Sequence, residues 1–193
     1  MKIKSAHFVK GVIGEDEVLY DKYPHIAFVG RSNVGKSSVI NSLVGDNRGL
    51  VKTGKKPGKT TEINFFKVNN KYYFVDLPGY GFAKMGLEGR ERIREMILDY
   101  ITNPKVVPHT VAVILDSKAG LTDFDKDMLH ILRENGHRTI VIVNKTDKLN
   151  QKELSMTMNE IKKEVPPDIE VFPYSALTQK TVKQLRELLI AKK

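Results

Sequence analysis

The run Gly30-Arg31-Ser32-Asn33-Val34-Gly35-Lys36-Ser37 restricts the possible folds of this chain more than any other stretch. It follows a short apolar segment, Ile26-Ala27-Phe28-Val29, and precedes the helix-like segment Ser38-Val39-Ile40-Asn41-Ser42-Leu43. Strand, glycine-bounded loop and helix, with G-x-x-x-x-G-K-S at the joint, form a layout that cradles a phosphate chain. The two glycines let the backbone curl until successive N–H groups point inward at phosphate oxygens. The helix start adds unpaired N–H donors and the positive end of its dipole. Lys36 can then set its ammonium against the β- and γ-phosphates, and the Ser37 hydroxyl can ligate Mg²⁺. This stretch points to nucleotide binding.

The remaining pattern alternates strands and helices. An edge strand is expected over 3–9, then a solvated turn carrying Glu15, Asp16 and Glu17, and a central strand over 26–29 behind Pro24. Gly45 is placed to cap the first helix. Strands over 63–68 and 72–76 flank Asn69-Asn70-Lys71, a hairpin turn, because asparagine tolerates positive φ. Helices are predicted over 88–100, 122–135, 151–164 and 178–191, and strands over 110–115, 139–143 and 169–172. The apolar runs Thr110 to Leu115 and Thr139 to Val143 suit strands buried on both faces. The result is an α/β three-layer fold, a mostly parallel sheet with one antiparallel hairpin strand and helices on both faces. Asp123, Asp125 and Asp127, with Glu134 beyond, resemble calcium-loop spacing, but Met128 stands where that loop needs glycine. First-turn acids of a helix capped by Thr122 explain them better, with Phe124, Met128, Leu129, Ile131 and Leu132 as its apolar face.

Composition narrows the chemistry. The 193 residues include no cysteine, so disulfides, thiolate metal sites and cysteine nucleophiles are excluded. The N-terminal sequence does not follow a signal-peptide pattern, and no apolar run approaches the roughly 20 residues of a membrane-spanning helix. A cytoplasmic protein without membrane attachment is the expectation. The net charge of +9 favours a polyanionic partner such as nucleic acid.

Further stretches make the phosphate site specific for guanine. Asp76-Leu77-Pro78-Gly79 ends a strand, where the aspartate can hold Mg²⁺ through water and the Gly79 N–H can meet a γ-phosphate. In Asn144-Lys145-Thr146-Asp147 the two-pronged Asp147 carboxylate matches the N1–H and N2–H₂ donors of guanine, which adenine lacks. Asn144 can bridge neighbouring loops, and the Lys145 stem can lie along the base. Tyr174-Ser175-Ala176 is placed to offer a backbone N–H to guanine O6. Within Lys55-Lys56-Pro57-Gly58-Lys59-Thr60-Thr61-Glu62, Thr60, or failing it Thr61, could complete the Mg²⁺ shell and report the γ-phosphate as part of a switch.

The order of these motifs is that of small GTPases. Gly30 to Ser38, Lys56-Pro57-Gly58-Lys59-Thr60 and Asp76-Leu77-Pro78-Gly79-Tyr80-Gly81-Phe82-Ala83-Lys84 closely resemble the EngB (YihA/YsxC) family. The resemblance covers nearly the whole chain and implies a P-loop GTPase fold of the Ras-like type. Residues 1–193 would form one GTP-binding domain, with 1–23 an N-terminal strand-and-loop extension. It further implies a GTPase that binds GTP or GDP with Mg²⁺, assists assembly of the large ribosomal subunit and is linked to septation and the cell cycle. One departure is the Tyr-Ser-Ala motif, where a second serine is usual.

Tyr80 replaces the glutamine that positions water in Ras-like proteins, so slow hydrolysis is expected until a partner orders its loop. Asn33 could help hold K⁺ beside the phosphates, as an asparagine at this position does in related GTPases. Lys52, Lys55, Lys56 and Lys59 border the nucleotide and could present a ribosomal-RNA face once GTP orders the loop. A monomer is expected. A signalling GTPase with a protein effector, and a nucleotide-gated binding module with negligible turnover, are the competing readings.

Overall fold

The computed structural model describes residues 2–45, 50–51, 62–81, 86–106 and 108–191. Among the described residues seven strands form one sheet: β1 (Ala6–Val12), β2 (His25–Gly30), β3 (Ile63–Val68), β4 (Tyr72–Asp76), β5 (Thr110–Asp116), β6 (Thr139–Asn144) and β7 (Glu170–Pro173). Accompanying them among the described residues are the helices α1 (Lys36–Val44), α2 (Leu87–Thr102), α3 (Asp123–Glu134), α4 (Gln151–Glu164) and α5 (Val182–Ile190). The strand order is β1-β3-β4-β2-β5-β6-β7. Among these described strands β3 runs against its neighbours, pairing antiparallel with both β1 and β4, while the remaining pairs are parallel. The α/β fold expected from the sequence is the fold observed.

Side-chain alternation explains the layering. In β2, Ala27 and Val29 join one core and Ile26 and Phe28 the other. The first core lies beneath α2, α3 and α4, which contribute Ile93, Ile97, Leu129, Leu132 and Ile161 to it. The second lies beneath α1 and α5, through Ile40, Leu43, Leu185 and Leu189. Burial on both faces accounts for the near-continuous apolar runs of β2, β5 and β6. Parallel β2, β4, β5, β6 and β7 all end at one edge of the sheet, and the functional motifs follow those ends.

Several local expectations hold. Gly45 caps α1 at φ +70, and Asn69 and Asn70 both take φ +52 in the hairpin turn. Thr122 is the N-cap of α3, so the alternating aspartates do begin a helix. Others shift. The edge strand forms at Ala6–Val12 rather than 3–9, because Asn69 holds the preceding segment through the Lys4 and Ser5 N–H groups and the Lys2 carbonyl. The buried face of α3 is Asp125, Met128, Leu129 and Leu132, whereas Phe124 is 60% exposed. Asp16 is not simply solvated: it caps the short 3₁₀ turn Glu17–Tyr20 and pairs with Lys10.

Candidate functional site

The loop between β2 and α1 begins where Gly30 runs close beside Ile114 of β5. A Cβ there would stand 2.6 Å from the Ile114 carbonyl oxygen. At the other end Gly35 takes φ +94, and a Cβ would meet Asn144 Nδ2 at 2.5 Å. Both glycines are therefore required by close approach, and the second also by backbone conformation. Between them Asn33 adopts φ +67, a conformation asparagine tolerates better than most residues.

Lys36 opens α1 and Asp76 ends β4, and their ammonium and carboxylate are in direct contact. They are 8% and 1% exposed. Burial makes this pairing obligatory for both charges, so their contact is also a constraint on the two loops. Ser37 follows in the first turn of α1, and Ser38 beside it is exposed. Ser37 and Asp76 supply hard oxygen donors of the kind Mg²⁺ takes, few enough to leave coordination positions for phosphate and water. Leu77 continues the β4 pairing through its N–H to the Phe28 carbonyl, which brings Pro78 and Gly79 over the phosphate loop. A Cβ on Gly79 would lie 3.3 Å from the Ser32 nitrogen. The Ser32 N–H itself donates to the Tyr80 carbonyl at 2.8 Å, so it stitches the two loops together.

Asn144, at the end of β6, is buried and does the bridging expected of it. Its Nδ2 donates to the Val34 carbonyl at 3.0 Å, and its Oδ1 accepts from the Ala176 N–H at 3.2 Å. Lys145 donates to the Asn33 carbonyl at 2.6 Å and pairs with Asp116 at 2.7 Å. Burial opposes ionisation of Asp116, but the Lys145 ammonium and the Lys118 N–H outweigh it and hold the carboxyl below its usual range. Thr146 donates twice to the Tyr174 carbonyl. The exposed Asp147 carboxylate accepts from Ser175 Oγ at 2.5 Å, which holds one of its oxygens in place.

The structure therefore gathers Gly30 to Ser38, Asp76 to Gly79, Asn144 to Asp147, Ser175 and Ala176 at one edge. Tyr174 differs: its ring is in the core, with its hydroxyl bonded to Ser42 Oγ at 2.7 Å. The Ala176 N–H, one candidate donor for a base, is engaged by Asn144. Glu62 is exposed at the entrance to β3. Gly58, Lys59, Thr60, Thr61 and the lysines at 52, 55 and 56 lie outside the described residues, as do Phe82, Ala83 and Lys84.

Three contributors were not apparent from the sequence. Asp116 and Ser117, at the end of β5, clamp the Asn144–Asp147 loop; Ser117 donates through its N–H to the Asn144 carbonyl and through Oγ to the Lys145 carbonyl. Asp125 of α3 accepts the Tyr80 hydroxyl at 2.7 Å. Tyr80 is thus not a phenol on a free loop, since its ring is buried and its main chain is paired with the phosphate loop. Burial, then the Asp125 charge, pushes the Tyr80 hydroxyl well above the usual tyrosine range.

Comparison with known proteins decides what such a site belongs to. A family described as 50S ribosome-binding GTPase matches residues 25–145, and the elongation factor Tu GTP binding domain matches 99–192. A probable GTP-binding protein EngB of Thermosipho africanus is 40% identical over 194 residues, covering 98% of this chain and 97% of that protein. The chain belongs to the EngB family. Its members named here include a second probable GTP-binding protein EngB, from Clostridium kluyveri, 36% identical with 98% and 96% coverage. The crystal structure of a probable EngB protein superposes with a TM-score of 0.73 at 31% identity, covering 86% of this chain and 98% of that one. Era in complex with MgGDPNP and a 16S ribosomal RNA fragment superposes at 0.69, covering 88% of this chain and 56% of that one. At 23% identity that likeness shows the fold alone. As an EngB-family P-loop protein, the chain is a GTPase, converting GTP to GDP and phosphate.

Proposed function

We propose that this GTPase is a slow, nucleotide-operated switch acting in assembly of the large ribosomal subunit. The observation that carries the slow-switch reading is the orientation of Tyr80. It stands where Ras-like GTPases use glutamine to orient the attacking water, yet its hydroxyl is turned into the core and bonded to Asp125. With that group withdrawn, a partner must supply or organise what positions the water.

The residues divide the remaining work. N–H groups of the phosphate loop and the Lys36 ammonium bind the β- and γ-phosphates, and Gly79 offers its N–H to the γ-phosphate. Ser37, Asp76 and Thr60 would hold Mg²⁺, which neutralises charge on the phosphate oxygens when bound. Asp147, aimed by Ser175, reads the guanine edge. Asn33 is the candidate for holding K⁺, although its positive φ and its carbonyl bond to Lys145 give it a structural reason of its own. The ribosomal reading is supported by the family description and by the basic composition, with Lys52, Lys55, Lys56 and Lys59 as the RNA-facing group. The protein acts in the cytoplasm as a monomer of one GTP-binding domain.

Single-turnover hydrolysis with and without large ribosomal subunits, in KCl and in NaCl at equal ionic strength, tests this. The expected rate alone is far below about 1 s⁻¹, rising when subunits are present and when K⁺ replaces Na⁺. Subunit binding should prefer GTP and weaken steeply with salt. A fast isolated enzyme, or subunits without effect, would contradict the switch. Salt-insensitive binding would favour a protein effector.

A further inference from the structure

We propose that Asp125 is a positioning residue for the γ-phosphate end of the site: it anchors Tyr80 and Arg31, and through them sets where the Gly79 N–H stands. Asp123, on the same first turn of α3, and Asp127, just beyond it, are exposed as acids near a helix start ordinarily are, whereas Asp125 is 0% exposed. A carboxylate so buried is costly unless its oxygens are met by donors. Here they are. Oδ2 accepts from the Thr122 N–H at 3.0 Å and the Thr122 hydroxyl at 2.6 Å, and Oδ1 accepts from the Tyr80 hydroxyl at 2.7 Å. Arg31 Nε, buried and without a hydrogen bond of its own, lies 3.3 Å from Oδ2.

Two of these partners belong to the phosphate machinery. Arg31 is the second residue of the phosphate loop, and Tyr80 directly follows Gly79. The Tyr80 N–H donates to the Gly30 carbonyl at 3.3 Å, and its carbonyl accepts from the Ser32 N–H at 2.8 Å. Tyr80 is thus fastened to the phosphate loop at two main-chain points and to α3 at a third, through its side chain. A Cβ on Gly79 would stand 3.3 Å from the Ser32 nitrogen, so the two loops run close together here, and the place of Gly79 is tied to that of Tyr80, its neighbour in the chain. Helix capping alone would need the Thr122 contacts and nothing more. The inward turn of Asp125 serves the loops.

The inference rests on the reading that Gly79 meets the γ-phosphate, and this gives it a signature. GDP lacks that phosphate, so loosening Tyr80 should weaken GTP binding selectively. Affinities for GDP and for a non-hydrolysable GTP analogue, both with Mg²⁺, are to be measured for the wild type, Tyr80→Phe, Asp125→Asn and Gly79→Ala. Tyr80→Phe should weaken the GTP analogue roughly 10-fold, the loss expected for a hydrogen bond to a charged group, and change GDP less than about twofold. Asp125→Asn should act in the same direction. If that variant does not fold, Tyr80→Phe, which keeps the ring and the Thr122 and Arg31 contacts, decides alone. Equal weakening of both nucleotides, or an unchanged ratio, overturns the proposal. If Gly79→Ala alone shifts the ratio, only the Asp125 claim fails; if Gly79→Ala leaves the ratio unchanged, the γ-phosphate reading fails and takes the claim with it.

Discussion

The His25 ring lies against Phe65, Tyr73 and Tyr100, with Nδ1 3.0 Å from the Tyr100 hydroxyl. Burial lowers its pKa from 6.5 to about 4, with Asp21 opposing part of the effect. Above pH 6.5 the ring is neutral whether the chain is folded or not, so its contribution is fully present. As pH falls through 6.5 the unfolded chain takes a proton that the native ring refuses, and stability declines until about pH 4. The difference amounts to about 3 kcal/mol. Urea unfolding of the wild type should show this slope, and His25→Gln should flatten it; equal slopes would contradict the assignment. The same contrast shows what single residues disclose in advance. The placement of Lys36, Asp76, Asn144 and Asp147 at one sheet edge was legible because each sits in a motif at or just beyond the end of a strand that the apolar runs predict. Asp125, Asp116 and His25 were not. Their partners Tyr80, Lys145 and Tyr100 lie far away in sequence, and only packing brings them together.

At the scale of elements, strands and helices with strong periodicity were recovered and the ends moved where side-chain bonding overrode propensity. The last helix was expected from 178 and starts at Val182. The intervening residues form a turn in which the Gln179 and Thr178 N–H groups donate to the Ser175 carbonyl and Oγ, and this turn holds Ser175 against Asp147. The turn that holds Ser175 thus takes four residues that could have extended a helix. α5 itself is short, and it is tied down by the sheet and by α1. Thr110 Oγ1 donates to the Leu189 carbonyl at 3.0 Å, Arg138 to the Leu188 carbonyl at 2.8 Å, and Arg186 Nε to the Leu43 carbonyl at 2.6 Å. Leu185, fully buried between α1 and the sheet, should therefore cost about 2–5 kcal/mol on truncation to alanine. Denaturant titration reads this directly. A loss below about 1 kcal/mol would mean that α5 packs more loosely than its contacts indicate.

Across the whole molecule, one sheet edge carries the function. Five parallel strands deliver the phosphate loop, the Asp76 carboxylate, the Asp116–Ser117 clamp, the Asn144–Asp147 loop and the Ser175 turn to the same side. Lys36–Asp76, Asn144–Val34 and Lys145–Asn33 then join these loops to one another. Such cross-bracing favours one arrangement of the loops, the preorganisation that a tight nucleotide site needs. The most direct test is competitive titration of GTP, ATP and xanthosine triphosphate against the wild type and Asp147→Asn. Asp147 facing guanine donors predicts that the wild type prefers GTP over ATP by about 10⁴-fold and that Asp147→Asn transfers the preference to the xanthine nucleotide. ATP bound as tightly as GTP, or GTP affinity untouched by Asp147→Asn, would contradict it.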